Sequence, residues 1–196
     1  LVGLGFTNAP ASIAPVGGVT PVIGTNPFAL GVPDDDNGAA FVIDQSASVI
    51  AKSEIMMHAR AGKNIPDSWA LDANGSPTTD AEVALKGSMA PSGGYKGFSV
   101  GLMVETLAAA LAGATLGKDA SPFAGTIGGP PKTGQFFIAI STECFSGGEF
   151  TSRIQALTKA ISSQPNARLP GSRRQAQRST HHSDGINVDE ELLAKI

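Results

Sequence analysis

Leu1-Val2-Gly3-Leu4-Gly5-Phe6-Thr7-Asn8-Ala9-Pro10 decides what kind of α/β chain this is. Val2 to Thr7 is a short apolar run of strand type that stops at Asn8-Ala9-Pro10. Within it, Gly3-Leu4-Gly5-Phe6-Thr7-Asn8 begins like the glycine-rich turn that opens a dinucleotide-binding helix. That turn needs a third small residue and a helix directly after it. Here the third position is Asn8, and Pro10 and Pro15 follow where the helix would have to run. Proline lacks an N–H and clashes inside a helix, so a Rossmann turn is rejected.

Outward from this run, further strands and helices follow. Phe28 to Val32 and Ala40 to Ile43 flank the acidic tip Asp34-Asp35-Asp36-Asn37-Gly38, which predicts a hairpin. Ser46 is placed to cap a helix over Ala47 to Ala61, closed by Gly62. Asp80 caps a short helix through Leu85. Tyr95 to Ala112 reads as a long helix, apolar on nearly every face, and such a helix is expected at the buried centre. Gly134 to Ile140 is another strand, and Phe150, Ile154, Leu157 and Ile161 recur at helical spacing. A last helix starts at Asp189. The sum is one mixed α/β domain over residues 1–196, including the tail 164–196, without internal repeats.

Composition bounds the function. With 196 residues, 41% hydrophobic and 16% charged, the chain can bury a core and is not disordered. The formal charge is −3, and the four arginines between Arg168 and Arg178 are too few for a nucleic-acid groove. Cys144 is alone, which excludes an internal disulfide and a cysteine-based zinc site and fits a reducing, cytoplasmic setting. No metal site is expected. Phe98 to Gly113, the most apolar stretch, is interrupted by Ser99 and Glu105, so no membrane span is expected.

Two further motifs tempt. Gly113 to Lys118 has glycines spaced too closely for a phosphate loop, and Asp119 stands where Ser or Thr is required. Gly97-Phe98-Ser99-Val100-Gly101 matches the nucleophile elbow, with Ser99 as nucleophile and Asp119 and His181 or His182 following in hydrolase order. An elbow must come straight off a buried strand, whereas Ser99 follows the loop Ala90 to Lys96. The competing reading is that small residues let a buried helix pack closely.

Four segments carry a resemblance. They are Gly24-Thr25-Asn26-Pro27-Phe28-Ala29, Ile65 to Asp72 followed by Gly75 to Asp80, Gly93-Gly94-Tyr95-Lys96-Gly97, and Arg168 to Arg174. Together they resemble, in one register from Leu1 to the C-terminus, the malate/L-lactate dehydrogenase-like oxidoreductases. Ser68 departs from the family's usual glycine. The tail looks most like that of the Δ1-piperidine-2-carboxylate/Δ1-pyrroline-2-carboxylate reductases. The resemblance implies a mixed-sheet, non-Rossmann NAD(P)-binding fold, a homodimer, and hydride transfer from NADPH or NADH to a small 2-keto acid or cyclic imino acid.

Residue chemistry gives this expectation a location. Lys96 and Gly97, at a glycine-rich helix start, combine a cation with backbone N–H groups and the positive dipole end; the competing reading is a solvated lysine. Asp44, Gln45 and Ser46 sit where a strand ends, a common place for ligand contact. Thr25 and Asn26 are either ligand-orienting or merely part of a turn. Arg173 and Arg174, just after Pro170-Gly171, suit a cofactor phosphate or an exposed basic loop. Lys52 and Glu54 fall on the first helix, where the imino-acid reductases carry polar residues. Glu54 is either an orienting group for a catalytic histidine or half of a surface ion pair. His58, four residues on, makes no metal site by itself.

In the family the proton-donating histidine lies upstream of the segment matching Leu1, in an N-S-x-H-F-G motif. His58, His181 and His182 do not fall in that motif. The opening on Leu1, without Met or a leader pattern, predicts that upstream sequence is missing. The chain alone is therefore expected to hold cofactor weakly and turn over nothing, with its partner either a second copy or the absent N-terminal half. Two other readings stay open: a non-catalytic remnant or interaction module, and a serine hydrolase using Ser99.

Overall fold

The computed structural model describes residues 1–35, 38–188 and 190–194. The chain forms two compact units, one of Val2–Leu30 with Asp44–Ile140, the other of Leu1, Gly31–Ile43 and Ser141–Ile196.

The larger unit is built on the run that opens the sequence. Val2–Thr7 (β1) pairs antiparallel with Gln135–Ile140 (β6), Val2 facing Ile140 and Thr7 facing Gln135. Strand alternation sends Leu4 and Phe6 into an apolar cluster with Val104, Ala108 and Phe136. Gly3 and Gly5 therefore share the opposite face, and the Phe137 ring lies where a Cβ on Gly5 would reach, 3.3 Å away. The two glycines are strand residues with a ring beside one of them, not a phosphate turn. Hydrogen bonding orders the strands β3-β2-β1-β6, where β2 is Phe28–Pro33 and β3 is Ala39–Gln45.

A second core in this unit gathers Ile13, Ile23, Ala47, Ile55, Ile65, Ala70, Ala81, Ala84 and Met89. It joins helices Lys52–Arg60 (α1) and Ala81–Lys86 (α2) to the short ribbon Ala70–Leu71 (β4) with Ser88–Met89 (β5). Asp80 caps α2 as expected, accepting from the N–H groups of Glu82 and Val83.

Two helix expectations are corrected. The first helix begins at Lys52, not Ala47, and Ser46 does not cap it. Ala47 and Val49 give their N–H groups to Thr25 O and Ala90 O instead, so tertiary hydrogen bonds hold this stretch extended. The long helix is α-helical over Tyr95–Glu105 (α3) and widens to a π-helix over Thr106–Leu111. It is buried on one side only, by Gly97, Gly101, Val104, Glu105, Ala108 and Ala109. Tyr95, Leu102, Met103 and Leu111 are exposed, so it is not buried all round.

In the smaller unit, Gly31–Pro33 of β2 runs beside β3, and Asp34 N–H donates to Gly38 O to close the hairpin. Asp36 and Asn37 of the expected tip lie outside the described residues. Phe150–Ser162 (α4) is the expected amphipathic helix, but none of its residues is fully buried. Ser172–Asp184 (α5) is a helix of polar sequence, without the apolar stripe that marks a helix in sequence. Glu190–Leu193 (α6) follows, while Asp189 itself lies outside the described residues.

Candidate functional site

In the larger unit three backbone segments meet at the start of α3. Thr25 O accepts from Ala47 N at 2.8 Å, and Ala47 O accepts from Ser92 N at 2.8 Å. Ser48 and Pro91 form an isolated bridge beside them. A Cβ on Gly97 would stand 2.3 Å from Ser92 O and 2.8 Å from Ala47 O, so only glycine lets the helix come this close. These bonds bring the Thr25, Ser46 and Lys96-Gly97 segments together, as no sequence spacing could.

The helix start is suited to an anion. Gly93 and Gly94 turn into α3 with φ of 66° and 65°, a left-handed backbone that glycine adopts without steric cost. No side chain caps the helix, so its first N–H groups remain available at the positive dipole end. Lys96 is exposed and has no hydrogen-bond or ion-pair partner among the described residues. Asp44 and Gln45 are exposed at the end of β3, and Ser46 shares a 3.0 Å hydrogen bond with Ser48. Cation, free N–H donors and hydroxyls within one unit fit the phosphate end of a nicotinamide coenzyme.

Asn26 takes a different part from that considered for it. It is fully buried at φ 41°, and its side chain is committed inside the protein. Oδ1 accepts from Ala9 N at 3.0 Å, while Nδ2 donates to Gly101 O and to Glu105 Oε2, each at 2.8 Å. Glu105, which interrupts the apolar helix, also accepts from Gly117 N through Oε1 at 2.6 Å. A carboxylate inside an apolar helix face was the available signal, since a buried charge needs partners.

On α1, Lys52 and Glu54 form no ion pair among the described residues. Glu54 is half-buried, and its backbone O accepts from His58 Nδ1 at 2.9 Å. The His58 ring stands edge-on to Trp69 with centroids 5.3 Å apart, a packing arrangement rather than an acid–base one. Ser99 lies in the second turn of α3, and its Oγ donates to Tyr95 O at 2.8 Å. Helix and loop precede it, so the elbow geometry needed for a nucleophilic serine is absent.

In the smaller unit, Pro170 O accepts from Val42 N at 3.2 Å and so covers part of the edge strand β3. Gly171 enters α5 at φ 81°, and a Cβ there would stand 3.0 Å from Val42 O. Arg173 and Arg174 are exposed on the first turn of α5, on a helix and not on the basic loop considered above. Among the described residues no group of three or more His, Cys, Asp or Glu could hold a metal ion, and no helix is long and apolar enough to cross a membrane.

The sequence and the fold are similar to those of known proteins. The chain is 41% identical over 191 residues to a Δ1-pyrroline-2-carboxylate reductase of Agrobacterium fabrum, a match covering 96% of the chain and 55% of that protein. It is 44% identical over 178 residues to a (2R)-3-sulfolactate dehydrogenase (NADP(+)) of Chromohalobacter salexigens, covering 91% and 53%. Among solved structures, Δ1-piperideine-2-carboxylate reductase from Pseudomonas syringae pvar. tomato superposes with a TM-score of 0.89 at 31% identity, covering 99% of the chain and 58% of that structure. The chain thus spans little more than half the length of these relatives. The model of the family described as malate/L-lactate dehydrogenase matches residues 1–196, and the chain belongs to that family of oxidoreductases.

Proposed function

We propose that the chain is the coenzyme-holding part of an NAD(P)H-dependent reductase whose substrate is a small cyclic imino acid or 2-keto acid. The observation that carries this reading is the convergence of Thr25, Ser46 and the uncapped, lysine-bearing start of α3 within one unit. In it, Lys96 and the N–H groups around Gly97 meet the diphosphate, with Thr25, Asp44, Gln45 and Ser46 toward the ribose. In the other unit, Pro170 and Gly171 fix the entry to α5, and in this reading Arg173 and Arg174 take a phosphate in bidentate fashion.

When bound, the coenzyme supplies the hydride. The chain's own residues hold and orient it, and the proton source belongs to a histidine that this sequence does not carry in the family's motif. The imino-acid substrate is favoured by the relative of Agrobacterium fabrum, and NADPH by the relative of Chromohalobacter salexigens, whose name includes that coenzyme's oxidised form. A cytoplasmic homodimer is the assembly that accompanies this reading.

The test has two stages. NADPH and NADH are titrated into the chain and followed by coenzyme fluorescence, with binding of at least one expected. The chain is then assayed with Δ1-pyrroline-2-carboxylate and with a 2-keto acid, alone and co-expressed with the upstream reading frame. Turnover only in the co-expressed sample is the expected result, and full turnover by the chain alone overturns the division of labour.

A further inference from the structure

Glu105 has no place in the coenzyme site proposed above, yet it is a buried carboxylate held at both oxygens. It is 6% exposed, and each of its oxygens accepts a hydrogen bond, Oε2 from Asn26 Nδ2 at 2.8 Å and Oε1 from Gly117 N at 2.6 Å. Gly97, Gly101 and Glu105 recur every four residues, which puts them on one face of α3. Gly97 brings that face against backbone, and Gly101 brings it against the side chains of Ile23 and Ala47. A Cβ on Gly101 would stand 2.8 Å from Ile23 Cδ1 and 3.0 Å from Ala47 Cβ, and Gly97 is closed off by Ser92 and Ala47.

A glycine face permits close approach, but it is smooth and does not by itself choose where along the helix the neighbours sit. Directional bonds do. Asn26 supplies them, because one amide bonds to Gly101 O and to Glu105 while its own oxygen holds Ala9 N. Its neighbour Thr25 is the residue whose carbonyl receives Ala47 N.

We propose that Glu105 is a positioning residue. Acting through Asn26, it locks the register of α3 against the Gly24–Asn26 and Ser46–Ser48 backbones. It thereby sets where Lys96 and the free N–H groups of the helix start stand relative to Thr25 and Ser46. The inference rests on the reading that this helix start holds the coenzyme. The carboxylate is specifically required, because two donors converge on its two oxygens and an amide of the same shape offers an acceptor to one of them only.

The test is a double-mutant cycle read as NADPH and NADH affinity, using the full chain as wild type, E105Q, K96A and the double variant. E105Q should weaken binding about tenfold, within the range that networked residues show, and should weaken it little further once Lys96 is gone. An equal loss in both backgrounds overturns the proposal, since a merely structural residue acts regardless of Lys96; no loss in either background also overturns it. Should E105Q fail to fold, Glu105→Asp keeps both acceptor oxygens on a shorter arm and carries the same cycle. Failure of both to fold overturns the proposal, because Glu105 is then a folding residue. A wild-type chain that binds neither coenzyme sinks the site reading itself, and this inference with it, before any variant is made.

Discussion

Asn26 and Glu105, 79 residues apart in sequence, are joined by a buried 2.8 Å hydrogen bond that ties the segment leading into β2 to the last α-helical turn of α3. The bond explains two features that look like flaws. An asparagine at φ 41° is an uncommon conformation for a residue other than glycine, and here its amide finds a partner at every polar atom. A carboxylate in an apolar helix would be costly without partners, and both of its oxygens are occupied. Removing either member leaves one polar atom of the other without this partner.

Glu105→Ala should therefore destabilise the chain strongly. The Asn26 amide and the Gly117 N–H would each lose an acceptor in the interior, at about 1–3 kcal/mol for each donor left unpaired. Urea unfolding should show the loss as a lower midpoint. A midpoint within error of the wild type would contradict the buried network.

Gly97→Ala should be destabilising as well, by about 1–3 kcal/mol, because overpacking here presses on backbone that cannot swing away. A Cβ at that position meets Ser92 O at 2.3 Å, whereas one at Gly31 meets nothing within 4 Å. Thermal unfolding of the two variants side by side is the check, with Gly31→Ala expected within about 0.5 kcal/mol of the wild type.

Lys96→Ala should leave the melting temperature nearly unchanged, since the side chain is exposed and unpaired among the described residues. Its effect should fall on NADPH affinity, weakened roughly tenfold or more at low salt and less at high salt. Fluorescence titration at two ionic strengths separates this from a neutral surface lysine, for which affinity would not move.

Replacing Arg173 and Arg174 together with alanine tests the coenzyme preference. A contact to the 2′-phosphate predicts weaker NADPH binding with NADH binding unchanged. Equal weakening of both would assign the pair to a phosphate that the two coenzymes share. No change in either would exclude the arginines from coenzyme binding.

Ser99→Ala should alter stability by no more than about 0.5 kcal/mol, as expected for an exposed position. An acylating serine probe should leave Ser99 unlabelled in the intact chain, read by peptide mass spectrometry. Stoichiometric labelling at Ser99 would revive the hydrolase reading against its helical setting.

Local pattern determined much of this protein. The strand at Val2–Thr7 was legible because a short apolar run and the Asn8-Ala9-Pro10 stop after it act within a few residues, and the α2 cap at Asp80 because capping is local. The family resemblance and the helix start at Lys96 were legible in the same way, as motifs whose glycines have a backbone reason. What the sequence could not state is where distant backbones would exchange hydrogen bonds. The helix expected from Ala47 begins instead at Lys52, because Thr25 and Ala90 take the N–H groups of Ala47 and Val49. The polar α5 had no apolar stripe by which to be recognised. Asn26 and Glu105 looked like a turn residue and a blemish until the fold set them 2.8 Å apart. Propensity and capping are settled within a turn or two of chain, whereas a buried polar pair has no partner, and so no evident purpose, before the tertiary structure supplies one.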